Sequence, residues 1–250
     1  MPSIDINCDM GESFGAWNMG ADEAIMPHIT SANIACGFHA GDPGVMLSTV
    51  RLALRHGVAL GAHPGLPDLQ GFGRREIVMN AAEVYALVAY QVGALQGIAA
   101  TQGARLHHVK THGALYGMTG RSRALADAVA QAVFDIDPAL QVYVANRHMT
   151  DAALALGLKV AYEVYADRSY QDDGTLTPRS QPHAMIEDPD LATAQVRQMV
   201  LQGSVRALSG KDVPLKADTL CVHGDQAGAT VFAQQIGAAL RADGILIAAT

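Results

Sequence analysis

Short apolar runs alternate with helix-length amphipathic segments from one end of the chain to the other, and this alternation constrains the fold more than any other feature. Strands are expected at Ile4–Asp9, Ala32–Cys36, Ala59–Ala62, Leu106–Lys110, Gln141–Ala145, Lys159–Val164 and Thr219–Val222. Helices are expected at Ala21–His28, Gly44–His56, Ala81–Gln102, Arg123–Phe134, Thr150–Leu156, Leu191–Gln202 and Thr230–Asp243. Asp42 before Pro43 is an N-cap ahead of a first-turn proline. Asn80 with Glu83 three residues on reads as a capping box, and Gly57, Gly103, Gly157 and Gly244 stand where helices should stop. Strand–helix units repeated in this way, with no block of strands or of helices alone, imply a parallel α/β architecture. No linker or shift in composition divides the chain, so one domain is expected over residues 1–250.

The polar residues decide between a closed barrel and an open sheet. In an open doubly wound sheet the functional groups gather at one switch point, whereas in a barrel nearly every strand contributes at its C-terminal end. Here every expected strand does: Asp9 and Glu12, His39, His63, Lys110 and His112, Asn146, Glu163 and Asp167, then His223 and Asp225. A single-domain (β/α) barrel of about seven parallel strands is the better reading, with a flavodoxin-like sheet as the alternative. Side chains alternate faces along a strand. Asp5, Asn7 and Asp9 therefore share one face and Ile4, Ile6 and Cys8 the other. The apolar face meets the helices, so the polar face lines the lumen. The same parity puts Asp9 and Lys110 in one buried cluster, where each needs a partner to offset desolvation.

A chain that is 50% hydrophobic and 16% charged is not a disordered segment. Its net charge of −7 argues against a nucleic-acid binder. No apolar run approaches the roughly 18–20 residues that span a bilayer, and no secretory signal opens the sequence, so no membrane association is expected. Cys8, Cys36 and Cys221 form no CxxC pair and read as packing residues of a cytoplasmic protein.

The candidate chemistry follows from those strand ends. Asp9 is a candidate general base or metal ligand, and Glu12 a candidate acid beside it. His39, in the glycine-flanked turn CGFHAGDP, and His63, in GAHPG, join Asp9 as a candidate divalent-metal set, though each histidine has an equally ordinary structural reading. VKTHGALYG supplies Lys110 and His112, with Glu163 or Asp9 as the carboxylate Lys110 needs. Arg74, Arg75, Arg168 and Arg179 are candidates to hold a carboxylate or phosphate. No GxxxxGK[ST], GxGxxG or GxSxG motif is present.

Taken together, DINCDMGESFGAW, TSANIACGFHAGDP, GAHPGLPDLQGFGRR, VKTHGALY, EVYADRSYQDDGTLTPRSQP and CVHGD resemble the LamB/YcsF family in order and across nearly the whole chain. The resemblance implies a seven-stranded barrel similar to glycoside hydrolases and deacetylases. It also implies opening of 5-oxo-L-proline to L-glutamate coupled to ATP hydrolysis, in a complex with two other subunits that support the use of ATP. In that setting Asp9, Glu12, Lys110, His112 and Glu163 are the expected catalytic groups, and the four arginines with His223 and Asp225 the expected substrate contacts. The alternatives are a self-sufficient metal-dependent amide hydrolase and a non-catalytic, ligand-presenting subunit. Thr111 stands where the family usually has proline, and His183 where it usually has glycine.

Overall fold

A computed structural model describes residues 2–222 and 229–250. Along the chain run β1 (Ser3–Met10), α1 (Asp22–Ile25), β2 (Ser31–Ala35), α2 (Pro43–His56), β3 (Ala59–His63), α3 (Ala81–Thr101), β4 (His108–Val109), α4 (Gly113–Arg121) and α5 (Arg123–Ile136). They are followed by β5 (Gln141–Val144), α6 (Arg147–Ala155), β6 (Lys159–Tyr165), α7 (Pro189–Gln202), β7 (Ser204–Arg206), β8 (Asp212–Pro214), β9 (Thr219–Val222), α8 (Ala229–Ala242) and β10 (Leu246–Ile247).

Strands β1, β2, β3, β4, β5, β6 and β9 pair side by side in parallel, and β9 pairs back onto β1 through Asp5↔Thr219 to Cys8↔Val222. The sheet is therefore closed: a seven-stranded parallel barrel ringed by helices, as the strand-end polar residues implied. Closure leaves no edge strand within the barrel. Outside it, β10 adds in parallel to the first residues of β1, and β7 and β8 form a separate antiparallel hairpin.

The helix signals act as expected. Asp42 accepts hydrogen bonds from the backbone N–H groups of Gly44 and Val45 to start α2, and Gly57 ends it in the left-handed region at φ 68°. Asn80 and Glu83 close a reciprocal capping box on α3. Some elements escape the sequence pattern. Helix α4 begins without a side-chain cap and contains three glycines, and β7, β8 and β10 are too short for a period to show. Against expectation, α3 is long and apolar enough to cross a membrane by length and composition. It buries Val84, Leu87, Val88, Val92, Leu95 and Ala99, and it packs against α5 and β3 in the barrel's outer layer.

The apolar core lies between strands and helices, and the lumen is polar. Ile4, Ile6 and Cys8 belong to the core cluster. On the opposite face Asp5 accepts hydrogen bonds from Thr30 (2.5 Å), Ser31 (2.8 Å), Tyr143 (3.0 Å) and Thr219 (2.5 Å). Buried polar groups cost little when every one is bonded. Above this floor, Asn7, Asn33 and His108 form a second layer, with His108 stacked on Tyr143 at 4.0 Å. Gly61 makes this layer possible, because a Cβ there would lie 2.0 Å from His108 Nε2.

Candidate active site

The third lumen layer, at the C-terminal ends of the strands, carries the chemistry. Strand β1 presents Asp9, the residue after β4 is Lys110, and β6 presents Glu163. The Lys110 ammonium lies 3.0 Å from Asp9 Oδ1 and 2.8 Å from Glu163 Oε1, and donates to Asn7 Oδ1 at 3.2 Å. Parity thus places Asp9 and Lys110 together, as read from the sequence. Asn33 braces the cluster by donating to both Asn7 Oδ1 (2.7 Å) and Asp9 Oδ1 (2.8 Å). Tyr116 (3.2 Å) and Tyr165 (2.7 Å) donate to Glu163 Oε2.

The electrostatics follow from this packing. Burial works against the Asp9 carboxylate, but His63 and Lys110 outweigh it and hold Asp9 well below the usual carboxylate range. Burial likewise opposes the Lys110 ammonium, and the Asp9 and Glu163 carboxylates more than offset it, so Lys110 stays well above the usual amine range. Only 4% of the Lys110 side chain and none of Glu163 is exposed, whereas Asp9 keeps 17%. Asp9 is therefore the member of the cluster that solvent or a ligand reaches.

Beside it, His63 Nε2 lies 3.3 Å from Asp9 Oδ2 and 2.9 Å from His112 Nδ1. His39 stacks on His112 with ring centroids 3.8 Å apart. Burial lowers the His112 imidazole to about 3 and pushes His39 well below the usual range, so both rings are neutral at physiological pH. One donor atom each from Glu12, His39, His63 and His112 lies within 4.8 Å of the others. Asp9, expected with His39 and His63 as a metal set, is adjacent, but its Oδ1 is engaged by Lys110 and Asn33.

A cavity of about 300 Å³ opens over these groups, lined by Asp9, His63, Lys110, His112, Tyr116 and Tyr165, with Arg74, Arg168 and Arg179 at its walls. Arg168 is buried and bound to the carbonyl oxygens of Thr177 (2.6 Å) and Ala184 (3.3 Å), so it also ties down the long loop after β6. Arg75 does not join them. Its guanidinium pairs with Asp68 and faces a separate cleft with Phe38 and Gln70. His223 and Asp225 lie outside the described residues.

Sequence reasoning missed Asn33, Tyr165 and the floor residue Tyr143. The signal was available on β2, where Ser31 and Asn33 alternate with apolar residues as Asp5, Asn7 and Asp9 do on β1. The cysteines are all free and buried. Burial pushes the Cys8 and Cys221 thiols up and Cys36 to about 12, so none is a thiolate at neutral pH. Cys221 is not only packing, since its Sγ sits 3.2 Å from Lys110 Nζ.

A closed barrel with a polar lumen and a titratable cluster at its C-terminal mouth defines an enzyme-like (β/α) barrel. The same fold recurs at 12% identity and a TM-score of 0.54 in a family 4 carbohydrate esterase from Streptomyces lividans, covering 98% of this chain and 91% of that one. The model of the LamB/YcsF family matches residues 4–250, and the chain belongs to that family. It is 72% identical over 247 residues to a 5-oxoprolinase A subunit of Bordetella bronchiseptica, covering 99% of each. It is 54% identical over 250 residues to the 5-oxoprolinase A subunit of Bacillus subtilis, covering 100% of this chain and 97% of the relative. The crystal structure of a lactam utilization protein from Thermus thermophilus superposes with a TM-score of 0.95 at 46% identity, covering 99% of this chain and 100% of that one.

Proposed function

We propose that the chain is the barrel subunit of an ATP-dependent 5-oxoprolinase, which opens the lactam of 5-oxo-L-proline to L-glutamate with two partner subunits supporting the use of ATP. The observation that carries this reading is the Lys110 ammonium set between Asp9 and Glu163 under a cavity of about 300 Å³ walled by arginines. A small cyclic amide with one carboxylate suits that volume and charge, and the names of the relatives point the same way.

A five-membered lactam is a resonance-stabilised amide and resists water unless its carbonyl is activated. In this reading a partner subunit transfers phosphate from ATP to the lactam oxygen, and water attacks the activated carbon. Asp9 accepts the proton of that water. Lys110 stabilises the negative charge of the phosphorylated oxygen as the tetrahedral centre forms. Arg74, Arg168 or Arg179 holds the substrate carboxylate. The ring nitrogen takes a proton as the C–N bond breaks, and a second water cleaves the acyl phosphate left behind into the glutamate carboxylate and inorganic phosphate.

The resting Asp9 is a weak proton acceptor because His63 and Lys110 hold its affinity for protons down. Charge developing on the substrate draws Lys110 toward itself and away from Asp9, so Asp9 becomes more basic as water attacks. Reconstitution with candidate partner subunits, scoring glutamate and ADP together, tests the proposal. Glutamate formed only with ATP and the partners supports it. Binding of labelled 5-oxoproline without turnover in any combination favours a ligand-presenting role instead.

A further inference from the structure

The hydrogen bonds of two histidines leave a conflict that only a cation removes. His63 Nδ1 lies 2.7 Å from the Lys110 carbonyl oxygen, and His112 Nε2 lies 2.8 Å from the Phe72 carbonyl oxygen. A carbonyl oxygen can only accept, so each of these nitrogens carries its ring's hydrogen. In the neutral rings the lone pairs then fall on His63 Nε2 and His112 Nδ1, and these two atoms face each other at 2.9 Å. Two carboxylate oxygens approach the same point: Asp9 Oδ2 is 3.3 Å from His63 Nε2, and Glu12 Oε1 is 3.9 Å from His112 Nδ1. Acceptors converging in this way repel one another unless a proton or a metal ion lies between them.

His39 separates those two solutions. Its ring is 1% exposed, stacks on His112 and meets His63 edge-on at 5.6 Å. Neither of its nitrogens has a hydrogen-bond partner among the described residues. A proton shared by His63 and His112 leaves His39 buried and unsatisfied, which native interiors avoid. A metal ion engages all three rings once His39 turns out of its stack on His112, because two parallel rings cannot both aim a lone pair at one ion.

We propose that Glu12, His39, His63 and His112 bind one divalent transition-metal ion of the zinc class, through a carboxylate oxygen and three imidazole nitrogens already gathered within 4.8 Å. Three nitrogens and one oxygen suit zinc or cobalt and disfavour magnesium and calcium, which take oxygen ligands. The backbone carbonyls that fix the His63 and His112 rings are the outer-shell partners such ligands require. Gly65 keeps room for the third ring, since a Cβ there would lie 2.4 Å from His39 Nδ1. The set replaces the Asp9, His39 and His63 combination by exchanging Asp9 for Glu12 and His112. It goes beyond the proposed reaction and is read on the chain alone, so its failure leaves the reconstitution result untouched.

The test strips the purified chain with a chelator and titrates it with Co²⁺ and with Zn²⁺ near neutral pH. Calorimetry and the visible absorption of Co²⁺ report binding. One equivalent is expected to bind with a Kd of about 1 μM or tighter. His63→Gln and His112→Gln should each weaken binding by at least about 100-fold, with circular dichroism confirming their fold. His56→Gln, exposed at the end of α2, should bind like the parent. Should either ligand variant misfold, Glu12→Gln replaces it, with binding expected at least about 10-fold weaker. Absence of saturable binding below about 1 mM overturns the proposal. Binding unchanged in both histidine variants overturns it too, as does nitrogen NMR showing a proton on His63 Nε2 in a chain that takes up no ion.

Discussion

At the scale of single residues, Lys110 organises the site, because its ammonium pairs with both Asp9 and Glu163 in a nearly sealed layer. Lys110→Met should destabilise the fold by about 3–5 kcal/mol at neutral pH, the cost of leaving buried charge unpaired. The sign of the pH dependence follows from the shifts. Asp9 is lowered on folding, so its contribution is complete above about pH 4 and lost as pH falls through the lowered value. Lys110 is raised, so its contribution is complete below about pH 10 and lost as pH rises through the raised value. In Lys110→Met the Asp9 carboxylate becomes easier to protonate, and the deficit relative to the parent should shrink as pH falls toward about pH 4. Urea melts across that range measure it; a deficit constant with pH would contradict the ion-pair account. Asp9→Asn keeps the shape and removes the charge, and should lower reconstituted turnover by about 10²–10⁴-fold; near-normal turnover would take Asp9 out of the catalytic set. His183 offers a separate check. Its backbone sits at φ 61°, where glycine is at ease and an L side chain is strained. His183→Gly should raise stability by about 0.5–1 kcal/mol after the added chain entropy is subtracted, read as a shift in thermal midpoint.

At the scale of elements, each helix start that the sequence marked with a side-chain cap is capped as marked. Asn80→Ala removes one half of the α3 capping box and should cost about 1 kcal/mol, with turnover per folded molecule unchanged because α3 stands outside the lumen. Gly61→Ala on β3 should behave differently. A methyl group there collides with the His108 ring and breaks its 2.7 Å bond to Asn33, the residue that braces Asp9. A loss of about 1–3 kcal/mol together with reduced turnover is expected, and urea melts paired with reconstituted kinetics separate the two effects. Stability falling with turnover intact would show that the brace is dispensable. Elements without a cap or a full period were invisible: α4 starts after His112 with no side-chain cap, and the β7–β8 hairpin pairs only three residues a side, with Arg206 meeting Asp212 at 2.9 Å.

At the scale of the molecule, the chain has no phosphate-cradling motif of known type, so alone it should show no ATPase activity. Release of phosphate from ATP by the purified chain, abolished by a substitution within it, would refute that. The barrel itself was legible in the sequence. The alternation of strand and helix sets a parallel sheet, polar groups at every strand end select closure, and period 2 along β1 sends Asp5, Asn7 and Asp9 into the lumen, all consequences of local geometry that one chain segment dictates by itself. Tertiary structure alone decided which of those groups meet. Arg74 reaches the cavity while its neighbour Arg75 turns to Asp68, because the loop after β3 has no period to read. Lys110 joins Asp9 and Glu163 across the lumen from strands far apart in the chain. Local sequence sets the face a side chain points to; its partner and its histidine tautomer depend on strand register and on backbone carbonyls supplied by other segments, which exist only once the barrel has closed.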